Sequence, residues 1–132
     1  MQVTTEPHIL HCLAKFDAGY FFADAFYGKR YTMGEGAEEL GKILIKGFIY
    51  SLTELSTPPK FLIFLNSGAY LTSDGANTIE DLEKLEKMGT EILTCGTCIN
   101  YYGLKDKPAV GTITNMYGIT ERMASAGNVI NI

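Results

Sequence analysis

The run Lys60-Phe61-Leu62-Ile63-Phe64-Leu65 constrains the fold more than any other stretch of the chain. Every position after the lysine is apolar, so the segment cannot be a strand with one face in water. It fits a strand covered on both sides. Pro58-Pro59 in front and Asn66-Ser67-Gly68 behind confine it to strand length. A strand of that kind implies a parallel sheet with helices above and below it.

The remaining elements fall into place around this strand. Residues 90–94 form a second strand that runs into Cys95, residues 111–116 a third, and residues 128–132 a last one. The aromatic segment 20–27 serves as the first strand, followed by a turn at Gly28-Lys29-Arg30. Between strands lie helical patterns. The strongest starts near Met33-Gly34-Glu35-Gly36 and repeats Leu40, Ile43, Leu44, Phe48, Leu52 and Leu55, with small Gly47 and Ser51 on the same stripe. Glu35, Glu38 and Glu39 suit the positive end of its dipole. Ile45, Ile49 and Tyr50 make a second apolar side, which suits a contact between subunits. A second helix begins at Thr78, where Thr78-x-x-Asp81 has the form of a capping box, and buries Ile79, Leu82, Leu85 and Met88 before Gly89 ends it. A short helix is expected over residues 97–102 and another over 117–126.

Strands alternating with helices in this way predict an α/β protein, with residues 20–132 as one domain and residues 1–19 as an N-terminal extension. That extension contains a short amphipathic pattern (Ile9, Leu10, Leu13, Phe16) and the trio His8, His11 and Cys12. The trio has too few ligands for a metal site by itself.

Composition removes several functions. The net charge is −4 and no basic stripe occurs, which argues against nucleic-acid binding. The apolar runs are too short to span a bilayer, and the N-terminus lacks the basic and apolar regions of a secretory signal. Three cysteines do not make a disulfide framework, so a cytoplasmic protein with reduced thiols is expected. Gly34-x-Gly36 is not a phosphate loop: Glu39 stands where a third glycine is needed, no Lys-Ser/Thr follows, and the glutamates would repel a pyrophosphate. These glycines are read as turn formers.

Ligands of parallel sheets collect beyond the carboxyl ends of the strands. Three successive strands end there in polar or reactive groups: Asn66-Ser67-Gly68, Cys95-Gly96-Thr97-Cys98 and Thr114-Asn115-Met116. The cysteine turn has three ordinary meanings: half of a zinc site, a redox dithiol, or a sulfur-carrying thiol. Zinc lacks two further ligands outside the N-terminal segment. A thioredoxin-type motif would follow the first strand and usually carry Gly-Pro. Cys95, ahead of a helix, would have its thiolate stabilised by unpaired N–H groups, with Lys105 and Lys107 adding positive field. Gly96 would let a substrate approach closely, and Cys98, one turn on, could attack an adduct on Cys95.

The ordered set Met33-Gly34-x-Gly36-x-x-Glu39-Leu40-Gly41, Phe64-x-Asn66-Ser67-Gly68, Cys95-Gly96-Thr97-Cys98-x-x-Tyr101-Tyr102-Gly103-Leu104 and Gly111-x-Ile113-Thr114-Asn115-Met116-Tyr117 resembles the DsrE-like domain of the YedF selenium-metabolism proteins, over about residues 31 to 132. The resemblance implies a DsrE/DsrF-like three-layer α/β/α fold with a mostly parallel five-stranded sheet. It also implies a sulfurtransferase or persulfide carrier in sulfur or selenium metabolism, often in homo-oligomers, with the active cysteine at Cys95. Cys98 belongs to the YedF-type variant of the motif. The chain departs from YedF proteins in having no SirA/TusA-like domain with its Cys-Pro motif, so a separate sulfur donor or acceptor protein, a SirA/TusA-like one among the candidates, is expected as partner. On this reading Cys95 accepts sulfane sulfur and Cys98 resolves the adduct. Asn66 and Asn115 line the pocket, and the Gly96 and Thr97 N–H groups hold the anionic sulfur. No cofactor and no metal are called for. The rival expectation is a non-enzymatic redox-sensing or assembly subunit with a structural or regulatory dithiol.

Overall fold

The computed structural model describes residues 2–3, 25–28, 30–104 and 108–132, with residues 2–3 and 25–27 described by their backbone alone. The amphipathic pattern of the N-terminal extension, His8, His11, Cys12, Lys105 and Lys107 lie outside the described residues.

The strands are β1 (Gln2–Val3), β2 (Ala25–Gly28), β3 (Phe61–Phe64), β4 (Glu91–Cys95), β5 (Thr112–Thr114) and β6 (Val129–Asn131). They form one sheet in the order β1-β6-β2-β3-β4-β5. All neighbours are parallel except β1, which pairs antiparallel with β6. The sheet thus has six strands where five were expected, because Gln2–Val3 adds itself beside Ile130 and Asn131. The helices are α1 (Glu38–Thr53), α2 (Ile79–Lys87), α3 (Gly96–Tyr101) and α4 (Met116–Ser125), together with a 3-10 helix over Asn66–Thr72.

Side chains alternate across a strand, so the apolar runs of β3 and β4 feed two separate cores. Leu62, Phe64 and Ile92 meet Ile45, Ile49 and Leu52 of α1 and Leu82 and Leu85 of α2. Ile63, Leu65, Leu93 and Cys95 meet Ile119 of α4 on the opposite face.

Helix α1 buries part of each side that the sequence pattern distinguished. Gly41, Ile45, Ile49 and Leu52 face inward, while Leu40 (54% exposed) and Ile43 (68%) point to solvent with Leu44 and Leu55. Of the expected core stripe Leu52 is buried and Phe48 packs against the core, while of the expected contact side Ile45 and Ile49 turn inward and Tyr50 stays exposed. Gly41 lies on the buried side: a Cβ there would stand 2.7 Å from Thr32 Cβ, so segment 31–33 crosses directly over the helix at this point. The Met33 N–H donates to the Gly41 carbonyl at 3.0 Å and closes the crossing.

Two further expectations change. Thr78 does not cap α2 with its side chain; its buried hydroxyl donates to the Leu71 carbonyl at 2.6 Å and fastens the end of the 3-10 helix. Met88 lies at the surface, whereas Leu82 and Leu85 are fully buried. The glycines at 34 and 36 do act as turn formers, with φ of +80° and +124°.

The 3-10 helix is held by two contacts. Thr72 and Thr94 share a buried hydroxyl–hydroxyl hydrogen bond of 2.7 Å, tying it to the end of β4. At its other end Gly68 presses against β2: an added Cβ would lie 2.4 Å from the Gly28 carbonyl oxygen. Gly68→Ala is expected to destabilise the protein by about 1–3 kcal/mol, since the obstacle is backbone that cannot rotate away. Gly47→Ala, in open space on the outer side of α1, is expected to stabilise by up to about 1 kcal/mol. Denaturant titration of both variants checks the opposite signs.

Candidate functional site: the dithiol at the carboxyl edge of the sheet

Strands β3, β4 and β5 are adjacent and parallel. The loops that leave their carboxyl ends therefore open on one edge, and Cys95 stands in register beside Thr114. Both cysteines are free thiols.

They are not equivalent. Cys95 is the last residue of β4 and the N-cap of α3, with extended φ/ψ of −67° and 123°. Its side chain follows the strand alternation into the apolar layer of Ile63, Leu65, Leu93 and Ile119, where it is 2% exposed. Cys98 lies one helical turn along and is half-buried. Its sulfur accepts the Asn66 N–H at 3.0 Å. Burial pushes the Cys98 thiol above the ordinary value, the side-chain hydrogen bond with Cys95 adds to the rise, and the Asn66 N–H works in the other direction.

Asn66 is aimed by its backbone. It is a non-glycine residue in the left-handed region, with φ of 51°, a conformation that asparagine tolerates better than most residues. Its side-chain Oδ1 accepts the Tyr102 hydroxyl. Tyr102 meets Tyr70 at 5.1 Å with the rings tilted by 55°, and Tyr70 meets Tyr31 edge-on at 6.1 Å. The Tyr31 N–H in turn donates to Ser67 Oγ at 3.3 Å. A chain of aromatic contacts thus leads from Cys98 through Asn66 along the top of the 3-10 helix.

The other expected site residues take different places. Gly96 has its open side filled by β5: a Cβ would be 3.1 Å from Ile113 Cγ2 and 3.6 Å from the Thr114 carbonyl. Its lack of a side chain allows strand and helix to pack. Thr97 is exposed on α3. Asn115 lies at the same edge, where its Oδ1 accepts the Gly118 N–H at 2.9 Å and caps α4. Asn66 is thus joined to Cys98 directly, while Asn115 is engaged in starting a helix. Tyr102, Tyr70 and Tyr31 were given no role from the sequence; the adjacent pair Tyr101-Tyr102 after the cysteines was the available signal.

Among the described residues no group of three or more His, Cys, Asp or Glu side chains is placed to hold a metal ion. Two touching thiols of unequal access, one with a backbone donor on its sulfur, can exchange sulfur or close into a disulfide. Because only the thiolate reacts with alkylating agents, Cys98 is expected to label slowly at neutral pH and faster as pH rises, with a midpoint above that of an ordinary thiol. In Cys95→Ala the midpoint should fall, though burial keeps part of the rise; mass-resolved iodoacetamide labelling against pH measures both.

Among the described residues no helix is long and apolar enough to cross a membrane. No family model matches the chain, and no curated protein sequence matches it. Among solved structures, the ychN protein from E. coli is similar, with a TM-score of 0.58 and 16% identity, over 84% of this chain and 100% of that one. The likeness bears on the fold alone, which is α/β with a mostly parallel sheet.

Proposed function

We propose that the protein is a sulfur carrier or sulfurtransferase that receives sulfane sulfur on the Cys95/Cys98 pair. The observation that carries this reading is the inequality of the two thiols. Cys98 is the accessible one and holds the Asn66 N–H on its sulfur, whereas Cys95 is sealed in the core at 2% exposure. The order of events expected from the resemblance is therefore reversed: Cys98 receives and Cys95 resolves.

The Cys98 thiolate attacks the terminal sulfur of a donor persulfide, forming a Cys98 persulfide and releasing the donor as thiolate. The Asn66 N–H donates to the Cys98 sulfur as charge changes on it. An acceptor thiolate can then take the outer sulfur and regenerate Cys98. If none arrives, the Cys95 thiolate attacks the inner sulfur, closing a Cys95–Cys98 disulfide and expelling hydrosulfide. The donor and acceptor are separate molecules, SirA/TusA-like proteins among the candidates, and selenium follows the same route in its corresponding oxidation state. The protein works in the cytoplasm as a homo-oligomer, with Leu40, Ile43 and Leu44 of α1 as the apolar face for self-association.

The second reading is a non-enzymatic redox-sensing or assembly subunit, and the raised position of the Cys98 thiol, which lowers its share of reactive thiolate, favours the form in which the dithiol is structural and carries no sulfur. Mass spectrometry after exposure to a persulfide donor separates the two. The carrier should gain one sulfur atom on Cys98, keep it longer in Cys95→Ser, and form no adduct in Cys98→Ser, where no accessible sulfur nucleophile of the pair remains. An adduct that survives Cys98→Ser, or disulfide formation with no added sulfur in any variant, sinks the carrier assignment. Asn66→Gly, which tolerates the left-handed backbone but frees Tyr102, should slow adduct formation by less than Cys98→Ser does.

A further inference from the structure

Asn66 is gripped twice by the same short helix. Its N–H lies on the Cys98 sulfur at 3.0 Å, and its Oδ1 accepts the Tyr102 hydroxyl. Tyr102 is the C-cap of α3, four positions after Cys98, so the two side chains rise from one side of the helix. The Tyr102 N–H donates to the Cys98 carbonyl at 3.1 Å, and the helix itself thereby sets the distance between the two grips. Sulfur, amide, phenol and backbone close a ring between α3 and the start of the 3-10 helix.

The phenol arm of this ring is firmly held. Tyr70 lies against the Tyr102 ring at 5.1 Å from one direction, and Tyr101 meets it at 5.1 Å and 89° from another. Asn66 has less to fix it. It opens the 3-10 helix, so its N–H has no partner within that helix. Its left-handed backbone, with φ of 51°, is costly for a residue with a side chain. Relaxation of that backbone would tip the peptide plane that carries the N–H away from the sulfur. A tyrosine that served packing alone would need its ring and not its hydroxyl.

We propose that Tyr102 is a positioning residue for the dithiol, whose hydroxyl fixes the Asn66 side chain and so keeps the Asn66 N–H on the Cys98 sulfur. It acts through Asn66. The assignment deepens the sulfur-carrier reading and rests on it for the use made of Cys98; the ring of contacts stands apart from that reading. With the N–H in place, the sulfur has a donor ready for the charge that gathers on it. With the N–H tipped away, burial and Cys95 remain, and both disfavour the thiolate. The rest of the surrounding layer, Leu65, Leu93 and Ile119, is uncharged.

Iodoacetamide labelling of the Cys98 peptide against pH tests this without any sulfur transfer. It is read in the Cys95→Ala background, where the midpoint belongs to Cys98 and not to a coupled pair. Tyr102→Phe keeps the ring and loses the hydroxyl, and should raise the midpoint by about 0.5–1 unit, the equivalent of one hydrogen bond to the sulfur. Asn66→Gly keeps the N–H and accepts the left-handed backbone but gives the phenol nothing to hold. Adding Tyr102→Phe to it should therefore move the midpoint no further. A midpoint in Tyr102→Phe at or below that of the background overturns the proposal, even if thermal melting shows a loss of stability. A rise of equal size with and without the Asn66 side chain overturns it as well. Alkylation needs no sulfur donor, so failed persulfide formation leaves this result readable, and an unmoved midpoint leaves the carrier reading standing.

Discussion

The arrangement of the active edge depends on one close backbone approach, that of Gly68 to the carbonyl of Gly28. The Leu65 N–H already donates to that carbonyl at 2.8 Å, and Gly68 packs where no side chain fits. Together they end β3 abruptly and fold the chain back as a 3-10 helix instead of letting it run outward. Asn66, caught in the first residue of this turn, adopts its left-handed conformation and presents its N–H to Cys98. That approach and the buried Thr72–Thr94 hydrogen bond together bring the loop after β3 against the end of β4.

The sheet enforces the difference between the two thiols. A residue at the end of β4 inherits the strand alternation, and position 95 falls on the side where Ile63, Leu93 and Ile119 lie. Three residues later the chain is helical, and its fourth position returns over the first but outside the layer. A Cys-x-x-Cys spacing across a strand-to-helix junction therefore yields one inner and one outer sulfur. Touching each other and held by Asn66 from one side, they form a pair that reaches from core to surface.

Much of the architecture was legible in the sequence because two-sided burial leaves a plain mark. The run at 61–65 has no polar position on either face and that at 92–95 has only the buried Thr94, and they became the adjacent interior strands β3 and β4. Alternation with helices then left few ways to connect them. The face of α1 was not legible, since both of its sides are apolar; Gly41, where segment 31–33 crosses, lies on the buried one. Within the site, the meeting of the first two loops followed from parallel order. Which sulfur is exposed depended on strand register, Asn66 received its orientation from a turn that resembled any Asn-Ser-Gly, and the tyrosine contacts Tyr70–Tyr102 and Tyr31–Tyr70 join residues 32 and 39 positions apart.

Glycines hold this edge together at three points, each by leaving out an atom. Gly68 fits against Gly28, Gly96 against Ile113, and Gly118 against the Thr114 hydroxyl, where a Cβ would come within 2.3 Å. All three tolerances concern the frame and none of them involves a sulfur atom. Substituting the cysteines therefore leaves these three contacts untouched, whereas a side chain at any of the three glycines forces a neighbour on the adjoining strand or turn to move.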